Sequence, residues 1–296
     1  MKLVAPPEGF IAPERVMAPT RLTQRFPWLY PVAVKALQLK QHLKWARSGA
    51  TWAKEHDSEP FEHKVIVHNS LLMRQLSPEE MELQRNKVVN LRLASAKTNG
   101  IVLHPGETFS FNKVVGNCTA KDGYTEGMRL SNGRAISGMG GGICQLANLL
   151  HWMVLHSPLT VVERSEHSFD PFPDKGRVLP WGVGCSIVYN YVDLVFRNDT
   201  EHTFQILTRV GERYLEGALR STEPMPCSYK VFAENEVFIK RGEDIFRRNE
   251  IWRRVIDKRT GNTIAKEMVK ANCARVIYEL REDQEVIDAD ALPSPA

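Results

Sequence analysis

Val32, Ala36, Leu39, Leu43 and Ala46 return every three or four residues, and this period predicts an amphipathic helix over VAVKALQLKQHLKWAR. A second helix opens at Ser77-Pro78-Glu79-Glu80. That stretch supplies a hydroxyl N-cap, a proline in the first helical position and an acid three residues on. It is expected to run to about Lys97 and to be closed by Gly100. The strongest helical period belongs to Ile143, Leu146, Ala147, Leu150, Met153 and Val154, and it stops near Ser157-Pro158.

Between and beyond these helices the period changes to two. LHPGETFSFNKVVG alternates like a strand, and PLTVVERSEHSFD reads as another. CSIVYNYVDLVFRNDTEHTFQILTRV reads as two antiparallel strands joined at Asn198-Asp199-Thr200, and Asp122-Gly123 and Asn132-Gly133 mark turns. Past about Ser221 come short charged strands, NEVFIKRG, EDIFRRNEIWRRVID and ANCARVIYEL, with a turn at Thr260-Gly261-Asn262. The pattern predicts an α+β fold, an antiparallel β-sheet packed with helices plus a small C-terminal β-hairpin subdomain. The expected division is 1–60, irregular and Pro-rich but carrying the first helix; 61–220, the main domain; 221–282, the small β subdomain; and 283–296, a disordered acidic tail.

Charge alters the reading of the first helix. From Val16 to Ala53 there is no acidic residue, while Arg21, Arg25, Lys35, Lys40, Lys44 and Arg47 all fall there. Its apolar stripe is expected to pack on the domain; the alternative is that residues 31–47 make a peripheral contact with an anionic membrane surface. The chain as a whole has a net charge of +4, too mild to indicate a nucleic-acid partner. No apolar run reaches the roughly 18 to 20 residues that cross a bilayer. MKLVAPPEGFIAPERVMAP has no continuous apolar core of a signal peptide, so a cytoplasmic location is expected.

Five cysteines, an odd number without a C-x-x-C pair, argue against a disulfide framework and a structural zinc site. No ligand spacing implies a metal or an organic cofactor. One cysteine stands apart. SGMGGGICQ at 137–145 places three glycines before Ile143 and Cys144, at the start of the strongest helical period. A phosphate loop is ruled out, since no G-K-[ST] follows and Ile143 breaks the G-x-G-x-x-G spacing. In a first helical turn a thiol is biased toward thiolate, and the N–H groups of Cys144 and Gln145 are placed to serve an oxyanion. The competing explanation is a small buried helix residue behind a tight turn. His151 and His156 lie too far along the same helix to reach the sulfur. His167, at the end of a predicted strand before a Pro-rich loop, is the candidate base; the alternative is a plain surface histidine.

PGETFSFN, DGYTEGMRLSNG, GGGICQLANLLHWMVLHSPL, ERSEHS and VDLVFRNDT, in this order and spacing, resemble the VanW family, named for an accessory protein of type-B vancomycin-resistance gene clusters. RLTQRFPWLYP is similar to the opening of its short members, and the likeness is strong from Arg21 to Arg220 and looser beyond. Larger membrane-anchored relatives act as peptidoglycan transpeptidases, through a Gly-Gly-Gly-x-Cys-Gln cysteine that corresponds to Cys144. The resemblance implies a cysteine-dependent acyl transfer on peptide stems, with Cys144 and His167 catalytic. Gly142 and Gln145 would flank the oxyanion, and Arg164 would either hold a stem carboxylate or make a structural ion pair. The implied partner is a peptidoglycan peptide or lipid-linked precursor. Many members carry Gly-x-Asp-Ala where this chain has Gly182-Val183-Gly184-Cys185, and Asp193 is the nearest acidic substitute in the sequence. The alternative is a non-catalytic accessory or binding protein for cell-wall precursors or a resistance complex.

Overall fold

Alternation and helical period set the elements, and the largest side chains decide which face of each is covered. The computed structural model describes residues 2–4, 26–73, 78–131, 134–165, 169–170, 173–174 and 178–289. The helices are α1 (Tyr30–Arg47), α2 (Pro78–Thr98), α3 (Phe111–Val115) and α4 (Cys144–Leu155). The first strands are β1 (Lys2–Val4), β2 (Thr51–Trp52), β3 (His63–Leu71), β4 (Ile101–Leu103) and β5 (Glu107–Ser110). Then come β6 (Glu126–Ser131), β7 (Arg134–Met139), β8 (Thr160–Glu163), β9 (Phe169–Asp170) and β10 (Val195–Arg197). The C-terminal part holds β11 (Phe204–Val210), β12 (Tyr214–Ser221), β13 (Cys227–Arg241), β14 (Asp244–Asp257), β15 (Thr263–Val276) and β16 (Glu285–Asp288).

The fold is α+β. An antiparallel sheet ordered β3-β12-β11-β4 carries α4 across β3 and β12 and α2 across β11. A second sheet runs β2-β5-β10-β8, and β6-β7 forms a separate hairpin against α2. Leu146, Leu149, Leu150 and Met153 of α4 meet Leu91 and Ala94 of α2 and Ile206, Leu215 and Leu219 of the sheet in one core. A third sheet, β1-β16-β13-β14-β15-β9, holds the long C-terminal strands. Arg247 of β14 is buried and pairs with Asp170 of β9, Asp174 and Glu236, which ties the loop after β9 to that sheet.

Several sequence expectations are corrected here. PLTVVERSEHSFD does not make one strand; β8 and β9 belong to different sheets. Asn198-Asp199-Thr200 is no hairpin turn. β10 pairs with β5 and β8, whereas β11 pairs with β12 and β4. Asn198 holds this crossing from one sheet to the next, its amide donating to Leu103 O and His202 O and its oxygen accepting from Thr200. The C-terminal strands are long, at 15, 14 and 14 residues. Within the acidic tail, expected to lack structure from 283, β16 pairs in parallel with β1 and β13 and buries Val286 and Ile287. The apolar pair prevails over the acidic composition because both of its neighbours are strands. The capping Ser77, the turn at Asn132-Gly133 and most of the Pro-rich opening lie outside the described residues.

The first helix is turned the other way from the expectation. Val32, Ala36, Leu39, Leu43 and Ala46 are exposed, and the covered face is Val34, Gln38, Gln41 and Trp45. Trp45 decides this. It packs edge-on to Trp52 with ring centroids 6.1 Å apart, and the Lys113 ammonium sits 4.3 Å from its ring. Among the described residues, no helix is long and apolar enough to cross a membrane.

Candidate functional site

The three glycines are a packing requirement. Gly140, at φ +69°, passes so close to Cys118 that a Cβ would lie 2.5 Å from the Cys118 Cβ. A Cβ on Gly141 would lie 2.1 Å from the backbone oxygen of Gly127 in β6. Gly142, at φ +93°, is pressed against the Lys87 side chain of α2, and a Cβ there would lie 2.0 Å from Lys87 Cγ. A run of glycines is therefore the way to bring the α4 N-terminus down onto both α2 and the β6-β7 hairpin.

Asn90 clamps the turn. It is fully buried in α2, and its amide nitrogen donates to Thr125 O at 3.0 Å and Gly141 O at 2.9 Å while its oxygen accepts the Thr125 N–H at 2.8 Å. Asn90→Leu strands these three backbone groups in the core. It is expected to lower the unfolding free energy by about 3 kcal/mol, read as a fall in the urea midpoint at unchanged slope. An unchanged midpoint would show that the clamp does not hold the turn.

Cys144 is the first residue of α4 and keeps part of its surface open, yet its sulfur packs inward against the main core. Burial pushes the thiol up, against the pull of the Ile187 backbone N–H, the Arg129 guanidinium and its own N–H. The direction is opposite to the one a helix N-terminus alone would set. Desolvation of the sulfur explains it, and the next two N–H groups of the turn are engaged elsewhere. Gln145 N–H donates to Gly142 O at 3.0 Å and Leu146 N–H to Ile143 O at 2.9 Å. The Gln145 side chain is also committed, donating to Ser70 Oγ at 2.9 Å and Leu71 O at 2.8 Å of β3.

The backbone from Gly182 to Ile187 runs across the first two turns of α4. Asn148, one turn after Cys144 and so on the same side of the helix, accepts the Cys185 N–H at 2.6 Å. Ser186 N–H donates to Ser165 O at 2.8 Å, and Arg164 Nη2 donates to Gly182 O at 2.9 Å. Arg164 and Ser165 are thereby brought to the segment that touches Cys144. Burial raises Cys185 to about 12, which keeps it a neutral core thiol. Burial likewise lowers His151 to about 3, and its Nδ1 lies 2.8 Å from Val183 O; a neutral imidazole donating there pins the same segment. His167 lies outside the described residues.

Gly184 faces Asn148, and a side chain built there would begin 3.7 Å from its Oδ1. Asn148 is the polar side chain facing Gly184, and its i+4 spacing from Cys144 is the sequence signal that places it beside the thiol. Asp193 has a different task. Fully buried, it accepts from Ser110 Oγ at 2.5 Å, Asn112 N–H at 2.9 Å and Leu194 N–H at 2.8 Å, which caps α3. Burial raises it to about 6, so its native state binds the proton more tightly than the unfolded chain does. The associated stability is present below about pH 4 and lost as pH rises through about 6. Asp193→Asn keeps the shape and is expected to gain about 2 kcal/mol relative to the parent as pH rises between those limits, followed by urea unfolding at each pH. A difference independent of pH would refute the assignment.

Three comparisons bear on this geometry. A family model described as VanW like protein matches residues 86–220, which include the Asn90 clamp, the glycine turn, α4 and Arg164. The chain is 29% identical over 270 residues to Vancomycin B-type resistance protein VanW of Enterococcus faecalis, covering 91% of this chain and 98% of that one. It is 36% identical over 96 residues to the uncharacterized protein YoaR of Bacillus subtilis, covering 31% of this chain and 32% of the other. No solved structure gives a significant match.

Proposed function

We propose, for a chain that belongs to the VanW family, a cysteine-dependent acyl transfer on peptide stems of cell-wall precursors, with Cys144 as the nucleophile. The relative in Enterococcus faecalis is named for vancomycin resistance, and a role in that setting is part of the proposal. The observation that carries it is the mount of Cys144. A glycine turn, closed by Asn90, holds one partly exposed cysteine, its sulfur turned inward, at a helix start beside the Gly182–Ile187 backbone and Arg164.

In the proposed reaction Cys144 gives its proton to a base, for which His167 is the candidate, and the sulfur attacks a stem carbonyl carbon. The C–N bond breaks, the leaving amine takes up the proton, and a thioester remains on Cys144. An incoming amine or water then attacks the thioester and restores the thiol. Because the resting thiol is pushed up, proton removal must accompany attack. Arg164 would meet a stem carboxylate, and the N–H groups near Gly142 and Gln145 would serve the oxyanion only after the Gln145 N–H leaves Gly142 O.

A second reading is favoured by the same raised thiol and engaged N–H: a non-catalytic accessory protein that binds precursors at this surface. Intact-protein mass spectrometry with a synthetic stem peptide separates the two. Acyl transfer predicts a covalent adduct on Cys144 that hydroxylamine or an acceptor amine releases. Saturable binding without any adduct favours the accessory role and defeats the catalytic one.

A further inference from the structure

The outward face of α1 has no use in the site just described. At 100° per residue, Val32, Ala36, Leu39, Leu43 and Ala46 fall within an arc of about 80°, pointing away from the covered face at Gln41 and Trp45. Val32 is 62% exposed and Leu39 61%. Lys35 borders this stripe on one side and Lys40 and Arg47 on the other, all exposed. Just before it Phe26, Trp28 and Tyr30 are exposed as well, Trp28 at 72%. The opposite face is held to the body by several contacts. Trp45 packs on Trp52, Gln38 Nε2 donates to Tyr189 O at 3.5 Å, His42 Nε2 lies 2.5 Å from Asn190 Nδ2, and Lys44 pairs with Glu163. The stripe is therefore presented rigidly outward.

We propose that α1 docks the protein on an anionic lipid bilayer, lying in the plane of the interface with Val32, Leu39 and Leu43 in the acyl boundary. Lys35, Lys40 and Arg47 would then reach the phosphates. Charge complementarity selects this occupant. α1 contains no acid, and the cations that flank the stripe, Lys35, Lys40 and Arg47, are of one sign, which an anionic headgroup layer matches. A second copy fits poorly, because a two-fold contact through the stripe would set Lys35, Lys40 and Arg47 against their own equivalents. Trp28, in the turn just before α1 and 72% exposed, suits the headgroup level, where an amphipathic ring is wet at one end and apolar at the other. The inference rests on the face of α1 alone and is independent of the chemistry at Cys144.

The test is flotation of the full chain with phosphatidylglycerol–phosphatidylcholine vesicles against phosphatidylcholine vesicles, at low and high salt. Binding to the anionic vesicles is expected, falling with salt. The double variants Leu39→Glu with Leu43→Glu, and Lys35→Glu with Lys40→Glu, are each expected to weaken it by about tenfold or more. These side chains are exposed, so far-UV circular dichroism and the urea midpoint of the free variants should match the parent. A folded Leu39→Ser with Leu43→Ser pair repeats the apolar test without added charge. Equal binding to neutral vesicles, no binding to anionic ones, or folded variants that float like the parent would overturn the proposal. So would a concentration-dependent dimer that the leucine variants abolish.

Discussion

Gly141→Ala is expected to destabilise the protein by about 3 kcal/mol or more. The new Cβ would lie 2.1 Å from Gly127 O, 2.2 Å from Gly127 C and 2.7 Å from Gly127 Cα. All three atoms are backbone, so no side chain can rotate away. Relief requires β6 to move from the α4 N-terminus, and that motion breaks the Asn90 bond to Gly141 O. Gly184→Ala is the matched control. It adds the same methyl group on the segment that crosses α4, at ordinary contact 3.7 Å from Asn148 Oδ1, and should shift the urea midpoint little. If both substitutions shift the midpoint equally, the glycine run is not a packing device. The reciprocal substitution Gly127→Ala should resemble Gly141→Ala, because its Cβ would meet Gly141 O at 2.5 Å.

Cys144→Ala should remove acyl transfer to a stem-peptide acceptor by about a thousandfold or more, since no other group supplies the covalent step. Removing a sulfur packed against the core is expected to cost about 1 kcal/mol, so the variant should remain folded. The pH dependence carries more information than the loss. Burial holds the thiol up, so in the free protein alkylation of Cys144 by iodoacetamide should keep rising past the range where an ordinary thiol levels off. Peptide-resolved mass spectrometry reads this rate at each of the five cysteines. A plateau at or below neutral pH would show a thiolate in the resting protein. Full transfer activity in Cys144→Ala would end the catalytic proposal.

Much of the fold could be read from local pattern. The three long helices were legible because each carries a repeating period or a capping signal, and α4 begins and ends within a residue or two of its expected limits. The resemblance at the glycine–cysteine motif picked out the same turn that the structure packs against α2 and β6. The strand partners were not legible. β10 and β11 follow each other in sequence yet sit in separate sheets, because Asn198 spends its side chain on a crossover that looks like a hairpin turn in one dimension. Tyr214–Ser221, the true partner of β11, has a weak alternation of its own and is a strand because β11 and β3 flank it.

By itself, the sequence determined the helices, the α+β class, the absence of a phosphate loop and the place of Cys144 in a first helical turn, since these depend on neighbours a few residues apart. Tertiary structure alone decided three further matters. It set the ionisation of Cys144, where desolvation by the core outweighs the N–H groups of one turn. It gave the three glycines their reason, in backbones from 127 and side chains from 87 and 118. And it rotated α1, because burying Trp45 against Trp52 and Lys113 prevails over burying the smaller side chains of the stripe, leaving that apolar face to the solvent.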